Sequence, residues 1–321
     1  MTTRRKFLAN SAMAAVSALA LRDSLVASQT SDTSQDGNPQ NLLQSMRSAA
    51  ANASIQTTKL TDTVFLLQGV GANIVVLVGP DGKLLIDSGM ATGAPRLLDA
   101  LAKLAPHPLK LLINTSWLFD HTDGNAALHS AGAFIIAQEN VRLRLSTPQT
   151  IPAFNLDLHS SSASALPQQT FADSEKLYFD DGEIDLIHAP NASTDSDVFV
   201  HFVRGNVIHA GELWFNNAYP IIETSSGGTI NGMIQGVDQI LQLADDKTKI
   251  VPSHGSAGNK FILADYRQML STVANRIEKM KIAGQTLDQV IAAKATADLD
   301  SQWSHGEMTP AMFLTAVYNT L

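Results

Sequence analysis

A succession of short apolar runs, several of them closed by Gly, Asp, Asn or His, limits the folds open to this chain. Val64-Phe65-Leu66-Leu67, Asn73-Ile74-Val75-Val76-Leu77-Val78 and Lys83-Leu84-Leu85-Ile86-Asp87 come close together. Each is too short for an amphipathic helix and too apolar for a loop, so each reads as a strand. Gly79-Pro80-Asp81-Gly82 between two of them is a turn. Residues 92–105 carry Leu97, Leu98, Leu101 and Leu104 at helical spacing. Leu109–Asn114 and Ala133–Ala137 are further strands, with a helix from Asn125 to Ser130 between them. After an irregular stretch, strands return at Glu183–His188, Val198–Phe202 and Asn206–Ala210, and helices follow at about 229–244 and 260–280. Two strand-rich halves, each followed by helices, predict two sheets packed face to face with helices outside. Periodicity alone fits a plain α/β sheet equally well.

Composition removes several functions. The 321 residues are 45% hydrophobic and 16% charged, the balance of a folded globular protein. The net charge of -8 and the lack of a Lys/Arg run beyond the N-terminus argue against a nucleic-acid partner. The absence of cysteine excludes disulfides, thiolate metal sites and a cysteine nucleophile. Any metal must be held by histidines and carboxylates.

Thr3-Arg4-Arg5-Lys6-Phe7-Leu8 precedes an apolar stretch from Ala12 to Leu21. Paired arginines before a short apolar run resemble a twin-arginine export signal, assigned to residues 1–27. The run is too short for a convincing membrane span. The expectation is a periplasmic or otherwise exported protein, free of the membrane once the signal is cleaved. That resemblance implies transport in the folded state, with any metal loaded beforehand. Residues 28–50, opening on Ser, Thr, Gln, Asp and Asn, are expected to be a disordered linker. Residues 51–321 are read as one domain with a C-terminal helical tail.

Five segments at strand ends carry the polar chemistry. They are Leu85-Ile86-Asp87-Ser88-Gly89, the loop Asn114 to Asn125, Asn191-Ala192-Ser193-Thr194-Asp195-Ser196-Asp197, His209-Ala210-Gly211-Glu212-Leu213 and Val251-Pro252-Ser253-His254-Gly255. In order and spacing, across residues 60–275, they resemble the motifs of the metallo-β-lactamase fold family. The resemblance implies an α+β fold, the four-layer αββα sandwich. It also implies a two-metal site from which this chain departs. Three histidines that hold the family's first metal fall here on Ser116, Leu118 and Ser193. The second metal's positions hold Asp120, His121, Glu212 and His254. Leucine has no lone pair, and a serine hydroxyl is a poor ligand for borderline metals. The losses fall on one metal and the retained donors belong to the other, a sorting that random decay does not produce.

The expected cofactor is therefore one divalent metal ion, with zinc first and manganese or iron as alternatives of similar donor preference. A metal-free protein is the other possibility. Glu212 is one methylene longer than the family's usual aspartate, which suits a terminal ligand better than a bridge. Asp120 is both a candidate ligand and the candidate catalytic carboxylate. Asp87, Thr194 and Asp197 are expected to brace the loops behind the ligands. His188 and His209, at strand ends, read more simply as hydrogen-bonded core histidines than as replacement ligands. A serine mechanism, with Ser116 or Ser193 activated by His121 or His254, lacks any G-x-S-x-G elbow.

Two functions follow. One is a hydrolase acting on a small-molecule ester, lactone, amide or related bond through a metal-activated water. The other is an inactive protein of the same fold that binds a ligand or partner in the periplasm. Residues 146–170, with Pro148, Pro152 and Pro167, are expected to line the substrate entrance. Trp117, Phe119, Trp214 and Phe215 are expected either to wall that entrance or to fill the core. Nothing in the sequence indicates an oligomeric state.

Overall fold

The computed structural model describes residues 40–321, so the twin-arginine segment and the first part of the expected linker lie outside the described residues. Helix α1 (Gln40–Asn52) is followed by strands β1 (Gln56–Lys59), β2 (Val64–Gln68), β3 (Ile74–Gly79) and β4 (Gly82–Ile86), paired antiparallel in sequence order. Helix α2 (Ala94–Leu104) crosses over to β5 (Leu109–Asn114), which pairs parallel with β4. Helices α3 (Phe119–Thr122) and α4 (Asn125–Ser130) cross to β6 (Phe134–Gln138), parallel to β5. Helix α5 (Glu139–Leu145), the hairpin β7 (Gln149–Ile151) and β8 (Leu156–Leu158), and β9 (Gln169–Phe171) complete this half. The first sheet has the order β1-β2-β3-β4-β5-β6-β9.

The second sheet begins with the antiparallel strands β10 (Ser174–Phe179), β11 (Gly182–His188), β12 (Val198–Phe202) and β13 (Val207–His209). Helix α6 (Ile230–Leu243) leads to β14 (Lys249–Val251), parallel to β13. Helices α7 (Lys260–Ile282), α8 (Leu287–Ala292), α9 (Asp300–Trp303) and α10 (Pro310–Thr320) close the chain. No described helix is long and apolar enough to cross a membrane.

Strand alternation builds the layers. Val75 and Leu77 of β3 join Ile184, Leu186, Val198 and Val200 of the second sheet in one buried cluster between the sheets. Ile74 and Val76, one residue out of phase, pack instead with Leu97 and Leu101 of α2. On the other sheet Phe199 faces away from its neighbours Val198 and Val200 and packs with Val237 of α6 and Leu270 of α7. Helix, sheet, sheet and helix thus stack in four layers, as the resemblance implied.

Helix α1 corrects the linker expectation. The polar composition ahead of it does not extend through residue 50: Leu43, Met46 and Ala50 recur at helical spacing and pack against the outer cluster of the first sheet. Arg47 on the same helix forms a two-pronged ion pair with Asp123, with Nε to Oδ2 at 2.9 Å. Residues 146–170 are likewise less irregular than their prolines suggest, since they hold the β7–β8 hairpin and the start of β9.

The parallel pairs position the site. Because β4 and β5 run in one direction, their C-terminal ends share an edge, and the same holds for β13 and β14. Asp87, the loop from Thr115 to His121, Glu212 and His254 each follow one of these four strands.

Candidate metal centre

Asp120, His121, Glu212 and His254 converge. Each offers one ligand atom, and the four atoms lie within 4.8 Å of one another. Asp120 and His121 sit on the single turn of α3, and Glu212 on a short 3-10 turn after β13. Asp87 stands behind them. Its backbone is left-handed, at φ 67°, a strained conformation for a residue with a side chain. Its Oδ1 accepts from the Thr115 N–H at 2.8 Å, and its Oδ2 accepts from the Thr115 hydroxyl at 2.6 Å and from His121 Nδ1 at 2.8 Å. Anchoring Nδ1 in this way turns Nε2 inward as the free ligand atom. Asp87 thus hydrogen-bonds both the loop at Thr115 and a candidate ligand, His121.

The four inward groups pair with one another. His121 Nε2 lies 2.8 Å from Glu212 Oε1, and His254 Nε2 lies 2.8 Å from Asp120 Oδ2. Burial on its own would favour neutral His121, but the charges of Asp87 and Asp120 and hydrogen bonds to Asp87 and Glu212 carry it well above the usual imidazole range. Burial also opposes charge on His254, and Asp120 overcomes it, raising that histidine too. Burial would raise the Asp120 carboxyl, yet the charge of His121 and the hydrogen bond from His254 hold it at about 2. Two imidazolium protons thus sit between two carboxylates, where positive charge is required. A set of two imidazole nitrogens and two carboxylate oxygens around one point fits a single divalent cation. Ser253, whose role the sequence did not reveal, donates its hydroxyl to Glu212 Oε1. Its only sequence signal is its place immediately before His254.

Comparison with known proteins agrees with this geometry. Residues 67–254 match the family model of the metallo-beta-lactamase superfamily. This chain belongs to that superfamily. A metallo-beta-lactamase from Pontibacter korlensis superposes with a TM-score of 0.57 at 19% identity, covering 68% of this chain and 99% of the other. The stereoselective inverting sec-alkylsulfatase Pisa1 from Pseudomonas sp. gives 0.63 at 18% identity, covering 83% of this chain and 50% of the sulfatase. The DIM-1 metallo-beta-lactamase gives 0.55 at 15% identity, covering 68% and 98%. These likenesses establish the shared fold. No curated protein matches the sequence. Superfamily membership and the cluster together give a metal-dependent, hydrolase-like scaffold with a candidate site for a divalent ion.

The other half of the superfamily site has a different character. Ser116, Leu118 and Ser193 are all buried. The Ser116 hydroxyl has no hydrogen-bond partner, and that of Ser193 makes a long 3.5 Å contact to Glu212 Oε2. Neither hydroxyl hydrogen-bonds a histidine, so neither forms the nucleophile–base pair considered for them; it is the Ser253 hydroxyl that lies 3.2 Å from His121 Nε2. Thr194 and Asp197 brace the loop: Asp197 Oδ2 accepts from the Thr194 N–H at 2.6 Å and Oδ1 from its hydroxyl at 3.0 Å. Burial raises the Asp197 carboxyl to about 8, against the Thr194 N–H and with the help of nearby Glu212. His209 is a core histidine, accepting from the Gly211 N–H through Nδ1 and meeting the Asn73 carbonyl through Nε2 at 3.0 Å. His188 contacts the Asp195 carbonyl at 3.0 Å and faces no ligand of the cluster.

Two cavities reach this edge. The smaller, of about 260 Å³, opens onto Asp120 and His254, with Leu118, Phe119 and Phe215 among its walls. Phe215 stacks on His254 with ring centroids 5.5 Å apart. Trp214 is core. The larger cavity, of about 790 Å³, lies between α1 and the β7–β8 region and is walled in part by Trp117 and Phe119. Residues 146–170 line both cavities, Ile151 and Phe154 the smaller and residues 156–162 the larger.

Proposed function

We propose that this protein is a mononuclear metal-dependent hydrolase of a small molecule carrying an ester, lactone, amide or related bond. The observation that carries the reading is the convergence of four donor atoms within 4.8 Å, backed by the Asp87 anchor on His121. Asp120, His121, Glu212 and His254 would hold the ion, zinc being our first choice. A bound divalent ion supplies Lewis-acid polarisation of a carbonyl and lowers the pKa of water to about 7. The chain's own contribution is divided by depth. His121 and Glu212 are wholly buried and hold charge in place, whereas Asp120 and His254 border the small cavity. Asp120 lies at the mouth of the site, within reach of a water in the small cavity. Its role is to accept a hydrogen bond from the attacking water and orient it.

A second reading, a ligand-binding protein without catalysis, draws on the same contacts. The His121–Glu212 and His254–Asp120 pairs satisfy one another without a cation. Elemental analysis separates the two. Protein purified from cells grown with zinc, manganese and iron is expected to carry close to one equivalent of one of them, and less than about a tenth of an equivalent overturns the hydrolase reading. We also propose that the twin-arginine segment sends the folded protein to the periplasm. Replacing Arg4 and Arg5 by Lys should leave it in the cytoplasm.

A further inference from the structure

The smaller cavity has an unusual charge balance. Its walls include Leu42 and Met46 from α1, Phe154 from the turn after β7, and Ile221 and Met308 from the second half of the fold. Its ionisable residues are Asp120, Glu307, His254, His305 and Tyr219, and none of its described lining residues is Lys or Arg. Two arginines, Arg47 and Arg144, stand at the neighbouring cavity. Both line the larger cavity instead, and each is already held by a carboxylate, Arg47 by Asp123 and Arg144 by Asp195. Leu118 adds to the apolar wall at the position where the resemblance places a metal-binding histidine. The substitution that removes a ligand therefore also adds a hydrocarbon surface beside the remaining donors. Behind the cavity stand three carboxylates, Asp87, Asp120 and Glu212, which outnumber the charge of one divalent ion.

We propose that this pocket takes an uncharged substrate with an apolar acyl or alkyl group, and discriminates against substrates that carry a carboxylate, sulfate or phosphate. This rests on the hydrolase reading for the reaction, but not for the binding preference. The hydrocarbon part lies along Leu42, Met46, Phe154, Ile221 and Met308, and the bond to be cleaved faces Asp120 and His254. An anion placed along that wall would lose its hydration among hydrocarbon side chains with no Lys or Arg beside it, which disfavours its binding there. In ester hydrolysis the water oxygen joins the acyl carbon, the acyl C–O bond breaks, and the leaving alkoxide takes a proton from the water. The acid product ionises at neutral pH, so the pocket that accepts the neutral ester disfavours its product. The volume of about 260 Å³ favours a short chain or single ring over a long lipid.

The test separates binding from catalysis. Binding of octanamide, octanoate and octyl sulfate is measured by calorimetry on the purified full-length protein, with and without added zinc. Hydrolysis of p-nitrophenyl butyrate, p-nitrophenyl sulfate and a carboxylate-bearing chromogenic β-lactam is followed in parallel. The amide is expected to bind at least tenfold more tightly than either anion, and only the neutral ester to be cleaved. Met46→Lys and Ile221→Lys each place a cation on the wall, from different elements, and should shift the preference toward octanoate at least tenfold. Retention of that shift in either variant suffices if the other disturbs packing. Equal binding of amide and anions, or preferential cleavage of the sulfate or β-lactam, overturns the pocket assignment. Selective amide binding with no cleavage of any ester by zinc-loaded protein leaves the assignment standing and overturns the hydrolase reading.

Discussion

The two halves of this superfamily site lie side by side and have met the same problem in opposite ways. On one side Asp120, His121, Glu212 and His254 form close contacts of opposite charge, with Asp87 behind them. On the other, hydroxyls and a leucine stand where the resemblance places histidines, and a carboxyl of the same loop, Asp197, is raised to about 8 by burial. The contrast shows that a ligand position without histidine still leaves the charge of the neighbouring acids to be settled. A buried carboxylate without a cation must be paired, or must take up a proton. The first half keeps its charges and pairs them, whereas the second offers two hydroxyls and a leucine and keeps its acid neutral.

The largest expected effect comes from cutting into the charged half. Asp120→Ala or His254→Ala should lower metal affinity by more than about a hundredfold, beyond the range seen for outer partners of a ligand. Equilibrium dialysis against zinc measures it, and full metal retention by both variants would break the comparison. Asp87→Asn keeps the shape but removes the charge that anchors His121. It should weaken metal binding by about ten- to a hundredfold. The same titration reads it, and an unchanged affinity would make Asp87 a brace for Thr115 alone.

Asp197→Asn sharpens the comparison from the neutral side. The Asp197 carboxyl titrates near 8 in the fold and near the ordinary aspartate value of about 3.9 in the unfolded chain. Between these values the folded protein holds one more proton than the unfolded. The stability from this group is therefore fully present below about 3.9 and is lost as pH rises toward 8. Asparagine resembles the protonated acid at every pH. The variant should match the parent near pH 4, gain on it steadily as pH rises, and melt higher by at least about 3 °C at pH 8, equivalent to about 1 kcal/mol in a domain of this size. A melting difference that does not grow with pH contradicts a neutral Asp197.

The smallest effect is expected at Ser116. Its hydroxyl is buried without a partner, so Ser116→Ala removes an unsatisfied group and should be neutral or slightly stabilising, within about 0.5 kcal/mol. Any hydrolysis should be retained. Loss of activity with unchanged metal content would revive the serine mechanism.

Much of this was legible before the structure. The strands from Val64 to Ala137 and from Glu183 to Ala210 are recognisable because their apolar runs are continuous, as strands covered on both faces require. Helix α1 was missed because its apolar positions are few and follow a polar tract, and only its packing on the first sheet reveals them. Strand β14 has just three residues and forms by pairing with β13, a non-local contact with no local signal. The partnership of Arg47 with Asp123 spans 76 residues and is equally invisible to local pattern.

The residue types alone establish which donors exist, because a side chain's ligand chemistry is a property of the residue. Asp120, His121, Glu212 and His254 can ligate in any fold, and Leu118 in none. Their meeting is a matter of three-dimensional packing, since parallel pairing of β4 with β5 and of β13 with β14 brings distant strand ends to one edge. That packing also decided the charge states, because burial and neighbouring charges act across loops. Finally, it set α1 and Met308 against Leu118 to make an apolar pocket beside a charged site, a juxtaposition that no run of sequence contains.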